Sequence, residues 1–271
     1  MTNQKTYLVT GYKGYIGRNI YNYLKTFDNI EVDGFSRNDN FQNKQYDIIV
    51  HCAGSTPSKI NDKFDYIKNN INLTKRVIDK YPNSKIIFLS TKDIYGTPNT
   101  DSIIEETIPY NQSFYGMSKH LSEQLIIDKS INYIILRLPA IIGLNSPRTF
   151  ITEMIDNIMG NKEIVLYNGE KKFNSIIHID NLISIVKYMT NTDILNPRNE
   201  IYNISSTGSI FLKNIPLLIA DKLNINIKNI KNTATSDVSS LFSSAKIQKI
   251  LDLDSVDKTI IKYLEELQNE Q

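Results

Sequence analysis

The run Tyr115-Gly116-Met117-Ser118-Lys119 sets a phenol and an ammonium four residues apart, neighbours on one face if the segment is helical. A phenol is a poor acid-base group at neutral pH, with an unperturbed pKa of about 10. A cation one turn away favours the phenolate and brings proton exchange within reach. Upstream, Ser90-Thr91 closes an apolar run and supplies a hydroxyl for the oxygen of a carbonyl or alcohol held beside that phenol. A glycine-rich turn at Gly11, Gly14 and Gly17 precedes both. The parts predict proton and hydride exchange at one carbon-oxygen unit, with Thr91, Tyr115 and Lys119 as catalytic residues and a nicotinamide as hydride carrier.

These groups need a scaffold, and the first half of the chain alternates short apolar runs with amphipathic stretches, as β-α units building a parallel sheet do. The predicted strands are Tyr7–Thr10, Val32–Phe35, Asp47–His51, Lys85–Ser90 and Tyr133–Leu138, rich in β-branched and apolar residues as strands covered on both faces are. Helical stripes fall between them: Ile16, Ile20, Tyr23, Leu24 and Phe27; then Ile67, Ile71, Thr74, Val77 and Ile78; then Leu121, Leu125 and Ile126. Tyr115 and Lys119 open the third helix. Beyond Leu138, Pro139, Gly143, Pro147, Gly160 and Gly169 punctuate shorter segments, which predicts a smaller lobe. Ser175–Ile179 reads as a strand returning to the main sheet, Asn181–Met189 as the helix after it, and Val256–Leu267 as an amphipathic tail helix. The predicted class is α/β: a Rossmann-type doubly wound parallel sheet over residues 1–140, rejoined by 175–200, with a smaller C-terminal substrate-binding lobe from 141–174 and 201–271.

Thr10-Gly11-Tyr12-Lys13-Gly14-Tyr15-Ile16-Gly17 follows the first strand and opens a helix, where glycines permit a tight turn, close approach to a pyrophosphate and helix-strand packing. Its spacing is G-x-x-G-x-x-G, not G-x-G-x-x-G. At the end of the second strand an acidic residue would suit the ribose 2′-hydroxyl of NAD, and an arginine a 2′-phosphate. Ser36-Arg37 stands there, with Lys13 in the glycine turn adding charge, so NADP(H) is favoured over NAD(H). The competing reading makes Arg37 a solvated loop cation and gives the ribose to Asp33 or Asp39.

Composition sets the remaining bounds. The 271 residues are 41% apolar and 22% charged, and no stretch approaches the roughly 18 uninterrupted apolar residues of a membrane span. The start, Met1-Thr2-Asn3-Gln4-Lys5, leads into Tyr7-Leu8-Val9 without a signal-peptide pattern, which makes the cytoplasm the expected compartment. A formal charge of +2 without a basic block gives no nucleic-acid footprint. The single cysteine, Cys52, reads as a buried structural thiol, and the three histidines lack metal-ligand spacing, so no metal is expected. His51 and His178 read as core histidines.

Taken together these residues resemble the extended short-chain dehydrogenases/reductases, particularly the nucleotide-sugar epimerase, dehydratase and 4-ketoreductase group. The resemblance is carried by Thr10–Gly17, by Asp47–Gly54 (similar to D-x-x-x-H-x-A-A), by Asn70–Thr74 (similar to N-V-x-G-T), by Ser90–Gly96 and by Tyr115–Lys119. Leu136-Arg137-Leu138-Pro139 through Gly143 is similar to the family's strand and proline turn, and Ile177-His178-Ile179-Asp180 to its H-V-x-D segment. The resemblance implies that Tyr115 is the general acid/base, that Lys119 contacts the nicotinamide ribose while lowering the tyrosine pKa, and that Thr91 orients the reacting oxygen, with Ser90 as runner-up. It further implies that Cys52, Ala53 and Gly54 pass under the cofactor, that Ser90 contacts it, that Pro139 and Ala140 wall the nicotinamide, and that Asn70 supports the strand-helix geometry. Ser55, Thr56, Arg148 and Asn174 are the expected substrate contacts beside Thr91.

Departures from the pattern narrow the expectation. Dehydratases of the group carry Asp-Glu after the threonine; here Lys92-Asp93 stands there, which disfavours a 4,6-dehydratase. Phe173-Asn174-Ser175 occupies the place of a diphosphate-binding arginine, leaving Arg148, Lys171 or Lys172 as candidate cations. The resulting expectation is reduction of a 4-keto group on a nucleotide-activated deoxysugar for surface polysaccharide, by a cytoplasmic homodimer. The alternatives are an epimerase with tightly bound NAD and a non-catalytic dinucleotide-sensing protein.

Overall fold

The computed structural model describes residues 4–37, 39–57, 62–190, 199–227, 230–234 and 240–270. Met1–Asn3 of the expected signal-free start and positions 191–198 of the expected return segment lie outside the described residues. Along the chain run β1 (Lys5–Thr10), α1 (Tyr15–Leu24), β2 (Ile30–Phe35), β3 (Ile48–His51), α2 (Phe64–Tyr66), a π-helical turn (Ile67–Asn72), α3 (Leu73–Lys80), β4 (Lys85–Thr91), a 3-10 turn (Lys92–Tyr95), β5 (Ser102–Ile103), α4 (Phe114–Lys129) and β6 (Tyr133–Leu138). There follow β7 (Ala140–Ile142), α5 (Phe150–Met159), β8 (Ile164–Tyr167), β9 (Lys172–Phe173), β10 (Ile176–His178), α6 (Ile179–Thr190) and β11 (Glu200–Asn203). The last elements are β12 (Ile210–Phe211), α7 (Ile215–Leu223), β13 (Ile230–Thr233), β14 (Leu241–Phe242), α8 (Ala245–Gln248) and α9 (Val256–Asn269).

Two compact units form: Met1–Thr97, Ile108–Leu138 and Ile183–Tyr202 make the first, and Pro98–Thr107, Pro139–Leu182 and Asn203–Gln271 the second. The first is built on a six-stranded sheet in the order β11-β6-β4-β3-β1-β2. From β2 through β6 every pairing is parallel. All residues of β4 and β6 are buried, which is why those segments read as continuous apolar runs. The order reverses at β1, whose neighbours are β2 and β3, so the loops after β1 and β3 flank the point where a doubly wound sheet opens a crevice. The Rossmann-type α/β class read from the sequence is the observed one.

Helix phases differ from the predicted stripes in two places. The π-helical turn inserts an extra residue per turn, rotating Ile67 out to 46% exposure and turning Asn70 inward, before α3 buries Thr74, Val77 and Ile78 as predicted. On α4 the buried face is Gly116, Ser118, Lys119, Ser122, Glu123 and Ile126, whereas Leu121 is 53% exposed. That helix packs on the sheet with small and charged residues, a face that an apolar stripe cannot reveal.

A further correction concerns Ile176–His178. It does not return to the main sheet; it pairs in parallel with β7 as a separate two-stranded ladder, and the sixth place in the sheet is taken by β11. The second unit's core gathers Ile151, Ile155, Ile176, Ile219, Ile260 and Leu264 among others, with α5 closed at its start by a Thr149/Thr152 capping box.

Candidate active site

Thr10 ends β1 and the chain turns at Gly11, whose φ of +70° suits glycine. A Cβ on Gly11 would lie 2.8 Å from the Ala53 backbone, and one on Gly17 would lie 2.3 Å from the Gly11 carbonyl oxygen. The turn is therefore drawn tight against the loop after β3 and against the first turn of α1. Gly14 is the N-cap of α1 and offers no side chain to the helix's first amides, which leaves those N–H groups and the positive end of the helix dipole for an anion. This donor set and the backbone closeness fit the pyrophosphate of a dinucleotide. Tyr15 and Ile16 are half-buried at the helix opening, and Tyr12 lays its ring over Gly34 and 5.2 Å from the Tyr21 ring, with Lys13 Nζ 5.5 Å from the Tyr12 ring centre.

Beneath the turn runs a buried chain of hydrogen bonds. Ala53 N–H donates to Thr10 Oγ1 (3.1 Å), Thr10 Oγ1 lies 2.6 Å from His51 Nδ1, and His51 Nε2 lies 3.0 Å from Thr74 Oγ1. Burial, with the Lys119 charge adding to it, pulls His51 down to about 3, so the ring is neutral and structural, as its sequence setting suggested. Burial likewise pushes the Cys52 thiol up to about 12, against the pull of Lys119, which makes it a poor nucleophile.

At the end of β2, Arg37 is exposed and Ser36 half-buried. Ser36 N–H donates to Asp39 Oδ2 at 2.7 Å, and hydrogen bonds from Ser36, with Lys13 adding its charge, hold the Asp39 carboxyl below its usual range. Asp33, the competing ribose ligand, is engaged elsewhere: Lys44 Nζ and the Tyr46 hydroxyl each donate to its Oδ2 at 2.9 Å.

The loop after β3 is gripped from the π-helical turn. Ser55 N–H donates to Asn70 Oδ1 (2.7 Å), Asn70 Nδ2 donates to Ser118 Oγ (2.8 Å), and Asn69 Nδ2 donates to Ser55 Oγ (2.9 Å). Ala53 and Gly54 are thereby fixed between β1 and α4. Ser55, expected at the substrate, faces inward and is 2% exposed, whereas Thr56 is exposed.

Thr91, Tyr115 and Lys119 meet at the end of β4. The Thr91 hydroxyl is hydrogen-bonded to the Tyr115 phenol and also accepts from Asp93 N–H at 3.2 Å, as cap of the 3-10 turn. Lys119 Nζ donates to the Leu89 carbonyl at 2.7 Å and lies 3.9 Å from the Phe88 ring centre. Ser90, the runner-up for orienting the reacting oxygen and an expected cofactor contact, points the other way and donates its hydroxyl to Glu123. Side chains alternate along a strand, so only one of the two hydroxyls can reach the phenol, and it is Thr91.

The electrostatics correct one expectation. The Tyr115 phenol is not lowered toward the phenolate but raised to about 12, by burial and then by Asp93, with the Thr91 hydrogen bond only partly offsetting them. Lys119 is drawn down to about 7 by burial, against the opposing pull of Glu123. The buried amine is thus a weaker ally of the phenolate than a solvated lysine would be, and the phenol stays protonated through the neutral range.

Sequence reasoning gave no role in the site to Tyr66, Gly116, Glu123 or Arg137, and weighed Asp93 only as a departure from the dehydratase pattern. Tyr66 sets its ring 5.8 Å from that of Tyr115, tilted to it by 44°, and Asp93 sits in the turn against which Gly116 packs. Two signals were available: the i, i+4, i+8 spacing of Tyr115, Lys119 and Glu123, and an arginine inside the otherwise apolar Tyr133–Leu138.

In the second unit, Ala140 opens β7 directly after Pro139. Arg148 is exposed and paired with Glu153 at 3.2 Å. Asn174 is removed from the substrate set: its Nδ2 donates to the Phe242 carbonyl and its Oδ1 accepts from Phe242 N–H, both at 2.9 Å, so the amide is committed to holding β14. The fold also gathers His178, Asp180 and Glu266, with ligand atoms within 4.8 Å of one another. Lys262 Nζ already lies 2.5 Å from Asp180 Oδ2, and Glu266 Oε2 accepts from Leu144 N–H at 3.2 Å, so these carboxylates are balanced by a cation and a backbone donor. Among the described residues no helix is long and apolar enough to cross a membrane.

A model of the NAD dependent epimerase/dehydratase family matches residues 7–205. The chain is 29% identical over 136 residues to a GDP-6-deoxy-D-talose 4-dehydrogenase of Aggregatibacter actinomycetemcomitans, over 44% of this chain and 46% of that protein. It is 33% identical over 89 residues to a UDP-glucose 4-epimerase of Azospirillum brasilense, over 30% of this chain and 25% of that one. It thus spans less than half the length of either curated relative. Among solved structures, a dTDP-4-dehydrorhamnose reductase of Bacillus anthracis in complex with NADP superposes with a TM-score of 0.80 at 18% identity, over 97% of this chain and 99% of that one. A UDP-glucuronic acid 4-epimerase of Bacillus cereus in complex with NAD gives 0.78 at 18% identity, over 98% and 99%.

Proposed function

The chain belongs to the NAD dependent epimerase/dehydratase family of enzymes, and on that premise we propose that it reduces a 4-keto group on a nucleotide-activated deoxysugar, using NADP(H), in the cytoplasm and in the service of surface polysaccharide. The observation that carries this reading is the Tyr115 phenol, hydrogen-bonded to Thr91 and held protonated by its burial. Reduction of a ketone needs a proton donor at the oxygen, and a protonated phenol is in the form to give one. When bound, the dinucleotide supplies the hydride. Gly11, Gly14 and Gly17 would hold its pyrophosphate, Ala53 and Gly54 would border it, and Ser36 and Arg37 would take the ribose. Thr91 places the substrate oxygen against Tyr115, and Lys119 would bridge to the nicotinamide ribose while replenishing the proton. Lys92-Asp93 in place of Asp-Glu speaks against dehydration. Exposed Phe64, Ile67, Phe114, Met117 and Leu121, carried on α2, the π-helical turn and α4, offer the apolar face through which the reading has two copies pair.

Cofactor turnover tests the assignment. Mixed with a nucleotide-linked 4-ketohexose, the protein should consume NADPH mole for mole; no net consumption, with a dinucleotide copurifying, would make it an epimerase instead. The 2′-phosphate assignment has its own check in Arg37→Ala. Loss of a charge-assisted hydrogen bond is worth about 1.5–3 kcal/mol, so NADPH affinity should fall about tenfold or more while NADH affinity barely changes. Equal losses for the two coenzymes would return the ribose to an acidic residue.

A further inference from the structure

Inside the first unit lies a row of charges to which neither the glycine turn nor the Tyr115–Thr91 contact assigns a purpose. Lys119 and Glu123 stand one turn apart on α4, 6% and 0% exposed, and read into consecutive residues of β4. Lys119 donates to the Leu89 carbonyl, and the next residue, Ser90, donates to Glu123. Across the sheet, Arg137 is the β6 register partner of Ser90. Arg137 Nε lies 3.2 Å from both Glu123 oxygens, its second terminal nitrogen 2.8 Å from Oε2, and its first donates to the Tyr95 hydroxyl at 2.6 Å.

A buried ion pair is weak evidence for stability, because desolvation of both partners offsets their attraction and apolar replacements of the same volume often do as well. The pair does something an apolar replacement could not: it fixes a carboxylate one helical turn from the Lys119 ammonium, away from water that would screen it. We propose that Glu123, clamped in place by Arg137, is a positioning residue that governs how readily Lys119 holds its proton one turn from Tyr115. This inference rests on the reading of Tyr115 and Lys119 given above.

The groups facing Lys119 make it the one that titrates. From β3 and its following loop come His51, neutral above about 3, and Cys52, protonated to about 12. Tyr115, one turn back on the same helix, keeps its proton to about 12. β4 supplies the Leu89 carbonyl and the Phe88 ring, neither of which ionises. Glu123, whose carboxylate favours the ammonium, is ion-paired to Arg137, which carries the opposite sign. Removing the anion should therefore make Lys119 lose its proton at lower pH, and removing the cation should make it hold the proton to higher pH.

Lysine 13Cε NMR on the free protein, with the Lys119 resonance assigned through Lys119→Arg, reads this directly and needs neither substrate nor dinucleotide. The wild-type midpoint is expected near 7, where burial places Lys119. Glu123→Gln should move it down by about one unit or more, and Arg137→Gln up by a similar amount, a tenfold change in proton affinity each. A purely structural role predicts something else: loosened packing admits water, and both variants drift upward together. That result, or an unmoved midpoint in both, overturns the proposal. Should a charge-removing variant fail to fold, Glu123→Asp keeps the ion pair but draws the carboxylate back by one methylene, and a downward shift of a few tenths is expected; no shift overturns the proposal. Opposite shifts without turnover on any nucleotide sugar would sink the proposed activity and leave this inference standing, whereas turnover with unmoved midpoints would do the reverse.

Discussion

Tyr115→Phe is expected to lower kcat by two to four orders of magnitude, the usual contribution of a positioned acid-base group, while dinucleotide affinity stays within about twofold. The ring remains, so its contact with Tyr66 and its seat against α4 persist. What disappears is the proton donor and the partner of the Thr91 hydroxyl. Because Thr91 also accepts from Asp93 N–H, it keeps its place at the end of β4, and the loss should be almost wholly in kcat. Steady-state kinetics and a titration followed by reduced-nicotinamide fluorescence separate the two quantities; the chain has no tryptophan, so that signal is uncluttered. Activity retained within about tenfold would mean that the proton comes from elsewhere, Asp93, Tyr66 and Lys119 being ionisable groups of the same site.

The direction of proton flow follows from the same surroundings. A phenol near 12 donates readily only to an oxygen that is becoming strongly basic, which a carbonyl gaining hydride does. Running the reaction toward the ketone asks Tyr115 to accept the proton, and for that the phenolate must be stabilised by Lys119. Since burial leaves Lys119 near 7, the oxidative direction should lose ground as pH rises through neutrality and the ammonium is lost. The sequence spacing alone pointed to a lowered phenol, because two residues at i, i+4 say nothing about the carboxylate of Asp93 or the apolar seat that surround them.

Other features were legible for equally physical reasons. β4 and β6 are buried along their whole length, so their apolar runs could hardly be anything but interior strands. The glycine triplet was readable because the close approaches at Gly11 and Gly17 exclude any Cβ. Ile176–His178 was misplaced because a short, wholly buried strand carries the same pattern in a main sheet and in a two-stranded ladder. The inward turn of Asn70, which the resemblance implied, was hidden from the apolar periodicity by the π-helical turn, which shifts the helical phase that a 3.6-residue period assumes. Asn174 looked like a ligand from its place in the chain, yet an amide can match a backbone peptide donor for acceptor, and here it does so with Phe242.

Gly116 carries the second large effect, and it inverts an ordinary rule. In an exposed helix, Gly→Ala should stabilise by about 1 kcal/mol. Gly116 lies in the first turn of α4, where its N–H donates to the cap residue Ser113, and a Cβ there would stand 2.1 Å from the Asp93 carbonyl oxygen. That oxygen belongs to backbone in the 3-10 turn directly after Thr91, so no side chain can swing aside to make room. Gly116→Ala should therefore cost about 1–3 kcal/mol, the range of core overpacking, read as a fall in the denaturation midpoint. It should also part the Thr91 hydroxyl from the Tyr115 phenol, because α4 carries the phenol and the hydroxyl belongs to the residue that caps the turn. A misplacement of about 1 Å between reacting groups costs on the order of a hundredfold in rate. Gln124→Ala, at an exposed position on the same helix, is the control and should leave both quantities near wild type. If Gly116→Ala instead raises the midpoint and keeps full activity, α4 has slack against the Lys92–Tyr95 turn, and the close seat that aligns phenol and hydroxyl is not what sets their geometry.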